Sequence, residues 1–163
     1  MAEHLFSQDY SGAPPDQVRA VSDLAERRQT SWGEAGMVWH CWQGPVERLP
    51  LILLHGGWGS WTHWIKAIPV LASERTVYAA DLPGMGESGD LPRPHTAEAI
   101  SRIVANGVEE LLPLGQPYHT ACFSFGGIIG SWMAAQHGNR CRSISLVGAA
   151  GFGDLHFVVE GIK

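Results

Sequence analysis

The chain has 163 residues, of which 45% are hydrophobic and 17% charged, and eleven Lys and Arg stand against sixteen Asp and Glu for a formal net charge of −5. This is the composition of a folded domain with enough apolar material for a core, and its mild acidic excess argues against a nucleic-acid-binding surface. The first residues include Glu3 and Asp9 and no long apolar run, so neither a signal peptide nor a membrane span is expected, and the odd set Cys41, Cys122 and Cys141 lacks metal spacing. The expectation is a cytoplasmic protein with reduced thiols, no metal and no cofactor.

In chain order, Pro14-Pro15 opens a stretch over 16–30 that places Val18, Val21, Leu24 and Ala25 on one side, which predicts a helix packed on the outside of the domain. Trp32 to Gln43 alternates large apolar and smaller residues, as antiparallel strands that begin a sheet do, with Gly33 and Gly36 marking a turn. Leu51-Ile52-Leu53-Leu54 is a continuous apolar run suited to a strand buried on both faces, and it ends at once in His55-Gly56-Gly57-Trp58-Gly59-Ser60. A helix is expected over 61–71, then a strand at 75–80 that runs into Asp81-Leu82-Pro83-Gly84-Met85-Gly86-Glu87-Ser88. An amphipathic helix over 96–112 follows, then the strand that carries Ser124, a further helix, and a strand at 142–148. Strands alternating with helices imply right-handed crossovers and a mostly parallel sheet. No internal repeat and no low-complexity linker is found.

The most informative segment is Ala121-Cys122-Phe123-Ser124-Phe125-Gly126-Gly127, an apolar run that turns sharply at Ser124 and opens into a helix. Such a turn lifts a hydroxyl clear of the sheet and aims helix N-terminal amides at the space beside it. The pattern for the turn is G-x-S-x-G, and here Cys122 stands at the first glycine. The plainer alternative is a serine that caps the helix. Upstream, the glycines after Leu54 let backbone N–H groups approach a ligand, as an oxyanion hole requires. Gly84 to Gly89 also matches G-x-G-x-x-G after a strand, but Pro92 and Pro94 keep the next helix from starting within the glycines, so a dinucleotide site is not expected. Trp58, Trp61 and Trp64 are expected to pack between helix and sheet, the alternative being Trp58 on the wall of an apolar pocket. His63, His119 and His137 read as structural or surface residues.

Three motifs in one order, the His-Gly-Gly turn, the Asp81 to Ser88 loop and the serine elbow, make roughly residues 35 to 150 resemble the α/β-hydrolase family. The resemblance implies an α/β fold with flanking helices, here ending soon after the strand near Gly148. It implies Ser124 as nucleophile, the N–H groups of Phe125 and Gly57 as oxyanion donors with Trp58 as the neighbouring candidate and a pocket residue, and His55 as structural. Residues 1–31 then form a helical extension, 32–150 the N-terminal part of the hydrolase domain, and 151–163 the start of a cap or connection. The family's acid and base follow the serine on later loops. Asp154 and His156 have the right order but come from one loop, so they are poor candidates, and 1–163 alone is expected to be inactive. The implied activity is a serine hydrolase that forms an acyl-enzyme on an ester, amide or activated carbon–carbon bond of a small-molecule substrate, without nucleic-acid or membrane partners. The alternatives are a hydrolase-like small-molecule receptor with a vestigial Ser124, and an acyltransferase.

Overall fold

The computed structural model describes residues 14–151. Helix α1, Pro15–Ser22, starts on a proline whose missing N–H needs no intrahelical partner, and it buries Val18 and Val21. It stops far short of Thr30, which corrects the expectation of one long helix. Glu26–Thr30 is instead strand β1, antiparallel to β2 at Met37–Trp42. The segment Glu26-Arg27-Arg28-Gln29 has no apolar side to bury in either conformation, so the unpaired backbone of β2 decides its state. Leu24, assigned to the buried side of the expected helix, is exposed.

Four further strands complete the sheet: β3 Leu51–Leu54, β4 Val77–Ala80, β5 Tyr118–Phe123 and β6 Cys141–Val147, in the spatial order β1-β2-β4-β3-β5-β6. The pairs β4·β3, β3·β5 and β5·β6 are parallel, and only the first two strands enter antiparallel. The crossovers carry α2 Ile68–Glu74, α3 Ala97–Leu111 and α4 Phe125–His137. The helix expected over 61–71 is broken into a 3₁₀ turn at Trp61–Trp64 and α2. Ser60 caps the turn by accepting the Thr62 N–H, and Pro69, which cannot donate, sits in the first turn of α2.

The central strands are buried on both faces, as a sheet covered by helices requires. On one face Trp39, Ile52, Leu54 and Tyr118 pack with Ile100, Val104 and Val108 of α3 and with Ile129 and Met133 of α4. On the other, Trp42, Leu53 and Val77 pack with Val18 and Val21 of α1 and with Trp61, Ile65 and Ile68. The Trp42 indole N–H donates to the Val21 carbonyl at 2.9 Å and ties α1 to the sheet. The outermost strand, β6, is less covered and leaves Leu146 and Val147 exposed.

This order sets the location of any site. The chain leaves β3 toward β4 on one side, whereas it leaves β5 toward β6 on the other. Between the carboxyl ends of β3 and β5 the connections therefore diverge and leave a crevice, where ligands bind in open α/β sheets. The His55 turn and Ser124 both open onto it, since Leu54 pairs with Cys122 across the two strands.

Candidate active site

Ser124 has φ 49° and ψ −115°, a conformation that side chains of L-residues rarely adopt. Backbone hydrogen bonds from three directions impose it. The Ser124 N–H donates to Val147 at 3.0 Å, and its carbonyl accepts the N–H groups of Gly127 at 2.9 Å and Ala150 at 3.0 Å. The hydroxyl makes no capping bond to α4, which sets aside the helix-cap alternative, and among the described residues no side chain bonds it. Gly126 lets the helix come this close: a Cβ there would lie 2.5 Å from the His55 carbonyl oxygen and 2.7 Å from that of Leu54.

The cysteine at the first glycine position finds its room on the helix. A Cβ on Gly130 would overlap Cys122 Sγ, so the missing side chain of Gly130 accommodates the one that Cys122 adds. Burial pushes the Cys122 thiol up to about 12, which keeps it protonated and unreactive near neutral pH.

The turn after β3 lies directly against the elbow. A Cβ on Gly56 would sit 3.0 Å from the Phe123 ring and 3.1 Å from Ser124 Cβ, while one on Gly57 would meet Phe125 Cβ at 3.7 Å. Among the described residues no hydrogen bond engages the N–H groups of Gly57, Trp58 or Phe125. His55 is a fully buried strut: with its ring proton on Nδ1 it donates to the Gly56 carbonyl at 2.7 Å and accepts the Leu82 N–H on Nε2 at 2.9 Å. Desolvation lowers its pKa to about 4 against the opposing pull of the Asp81 charge and the Gly56 carbonyl, so the ring is neutral.

The three tryptophans divide. Trp61 is buried, its ring tilted against those of His40 and Trp42, and Trp64 packs partly buried beside the same core. Trp58 is 72% exposed at φ 58°, which overturns the packing expectation for this residue. It sits on the glycine turn, ahead of the Ser60 cap, and helical spacing cannot carry it to the sheet.

Asp81, whose role the sequence reading missed, organises the neighbouring loop. Its carboxylate is almost wholly buried, accepts the N–H groups of Trp61 at 2.9 Å and Glu87 at 3.0 Å, and faces His40 Nε2 at 3.4 Å. Burial by itself would raise its pKa, but the His40 hydrogen bond and charge, the charge effect of His55 and the Glu87 amide outweigh burial and hold it below the usual value. Gly86, at φ 56°, is required because a Cβ there would overlap this carboxylate. Ser88 Oγ donates to the Asp81 carbonyl at 2.5 Å and accepts the Val38 N–H at 2.8 Å. The glycines of the G-x-G-x-x-G match thus close a loop on itself, Gly84 N–H to the Gly89 carbonyl at 2.7 Å, and α3 starts only after Thr96. An acid directly after a buried strand, with a glycine five residues on, was the available signal.

His119 pairs with Ser143 at 2.7 Å, and His137 with the Tyr118 hydroxyl at 2.7 Å, both away from the elbow. His63 is nearer, its ring edge-on to Phe123 at 5.4 Å. Asp154 and His156 lie outside the described residues. Among the described residues no group of three His, Cys, Asp or Glu is placed to hold a metal, and no helix is long and apolar enough to cross a membrane.

A mostly parallel sheet with a strained serine at its switch point defines the class, and the sequence model of the α/β hydrolase fold matches residues 50–159. The chain belongs to the α/β-hydrolase family. It is 35% identical over 105 residues to a dihydrolipoyllysine-residue acetyltransferase component of the acetoin cleaving system of Pseudomonas putida, covering 64% of this chain and 28% of that protein. It is 35% identical over 109 residues to a pimeloyl-[acyl-carrier protein] methyl ester esterase of Aeromonas hydrophila, covering 66% and 39%. The chain therefore spans well under half the length of these relatives. Its fold is similar to that of a bacterial membrane phospholipase A, with a TM-score of 0.72 and 24% identity over 92% of this chain and 46% of that one.

Proposed function

We propose that Ser124 is the nucleophile of a serine hydrolase that forms an acyl-enzyme on an ester, amide or activated carbon–carbon bond of a small molecule. The observation that carries this reading is the strained turn of Ser124, set beside the glycine turn whose Gly57 and Trp58 N–H groups no hydrogen bond engages among the described residues. A serine hydroxyl attacks a carbonyl carbon, the carbonyl oxygen gains negative charge, and donors already in place stabilise it without reorganisation. In this reading Phe125 and Gly57 donate to the oxyanion, with Trp58 as the neighbouring donor. In this reading the exposed Trp58 ring also serves the site, offering an apolar face to the acyl part of a substrate.

A general base must take the serine proton directly or through one water. His55 is excluded from that role by its buried, doubly engaged ring, and His119 and His137 are engaged away from the elbow, so the reading needs a base other than these. The test is labelling of the complete protein with a fluorophosphonate. Ser124 should be the modified residue, and Ser124→Ala should abolish labelling and turnover. Labelling that survives the substitution would refute the assignment. An acyltransferase is the second reading, favoured by the acetyltransferase relative. It predicts the same labelling, with product shifting from free acid to a new ester or amide when an alcohol or amine is supplied.

A further inference from the structure

His63 stands between the two halves of the candidate site, yet nothing in the acyl-enzyme chemistry above employs it. It lies on the 3₁₀ turn Trp61–Trp64, and its ring is seated on Gly59, where any Cβ would overlap it. The ring meets His55 edge-on at 5.9 Å and Phe123 edge-on at 5.4 Å, Phe123 being the residue before the serine. Its Nδ1 accepts the Gly56 N–H at 3.2 Å. An accepting Nδ1 places the ring proton on Nε2, the opposite tautomer from His55.

That bond has a geometric consequence. Gly56 is the residue on which a Cβ would press against Phe123 and Ser124, and the peptide after it carries the Gly57 N–H. Glycine has wide freedom in φ and ψ, so a turn with glycines at 56, 57 and 59 needs an external anchor to hold its amides in one direction. His55 holds the Gly56 carbonyl and His63 holds the Gly56 N–H, so the residue is pinned at both ends. A purely apolar ring would fill the same seat and leave the Gly56 N–H without this partner.

We infer that His63 is the positioning residue of the oxyanion turn: by accepting the Gly56 N–H it fixes the orientation in which the following amides face the substrate oxygen. The inference rests on the acyl-enzyme reading for the purpose of the amides, but the bond itself can be measured independently. Misplacing preorganised donors lowers the reaction rate far more than it disturbs ground-state binding.

The experiment uses the complete protein, His63→Leu, which removes the acceptor, and His63→Asn, whose side-chain oxygen can take the place of Nδ1. In the wild type, ¹⁵N spectra should show His63 protonated on Nε2, with a coupling across the hydrogen bond between Nδ1 and the Gly56 nitrogen. The second-order rate constant for fluorophosphonate labelling of Ser124 should fall by about tenfold or more in His63→Leu, the effect of losing one hydrogen bond's worth of alignment. His63→Asn should recover most of that loss. A wild-type His63 protonated on Nδ1, or equal labelling in wild type and His63→Leu, or equal losses in Leu and Asn, would overturn the proposal. Absence of Ser124 labelling in the wild type would remove the acyl-enzyme reading instead, and the ¹⁵N measurements would still decide whether His63 holds the turn.

Discussion

Replacing Ser124 once by glycine and once by alanine separates the strain of the elbow from the chemistry of its hydroxyl. At φ 49° and ψ −115° the residue occupies a region nearly closed to side chains with a Cβ. Holding a non-glycine residue in such a region costs on the order of 1–3 kcal/mol. Alanine keeps the Cβ, and with it the strain and the approach to Gly56. Glycine releases the strain but gains about 0.4–1 kcal/mol of freedom in the unfolded chain, which acts against folding. The net expectation is that Ser124→Gly is more stable than Ser124→Ala by roughly 0.5–2 kcal/mol. Urea unfolding of both variants of the complete protein measures this. With a slope of about 1–3 kcal/mol per molar, the midpoint should shift by several tenths of a molar at unchanged slope. Both variants lack the nucleophile, so neither should label. A Ser124→Ala protein at least as stable as Ser124→Gly would refute the strained-elbow geometry, and with it the observation that carries the functional reading.

Two further outcomes follow from the same neighbourhood. His55 has a folded pKa of about 4 against an ordinary value of 6.5; as pH falls through that window the unfolded chain takes up a proton that the native protein refuses, so stability declines by about 3 kcal/mol in total. Urea midpoints at pH 7 and pH 5 should show the decline, and His55→Gln, which cannot titrate, should lose that part of the slope, while the contribution of Asp81 disappears only at still lower pH, below the usual carboxylate value. The turn glycines should also differ in tolerance. Gly56→Ala presses on Phe123 and Ser124 at 3.0–3.1 Å and should slow labelling of Ser124, whereas Gly57→Ala meets Phe125 at an ordinary 3.7 Å and should be nearly silent; equal rates in the two variants would remove the distinction.

Much of this protein is written in local patterns that need no knowledge of its partners in space. Leu51-Ile52-Leu53-Leu54 suits a strand buried on both faces, Thr96 with a helical apolar stripe behind it suits a helix start, and each is found so. The order of strand, glycine turn, strand and serine turn was enough to place the chain in its fold, because right-handed crossovers leave few ways to arrange such units. What depends on contacts distant in sequence was not legible. The state of Glu26–Thr30 is decided by the edge of β2, the tolerance for Cys122 by a glycine eight positions later on the facing helix, and the role of Asp81 by amides from Trp61 and Glu87 converging on one carboxylate. Trp58 reads like its neighbours in composition, but a left-handed backbone turns it to solvent. Sequence alone determined the central strands of the sheet and which serine ends one of them, since burial period and turn chemistry act over a few residues. Only the tertiary structure decided which backbone groups hold that serine in its strained turn, Val147, Gly127 and Ala150 among them, because a hydrogen bond is made by whatever the fold brings within about 3 Å.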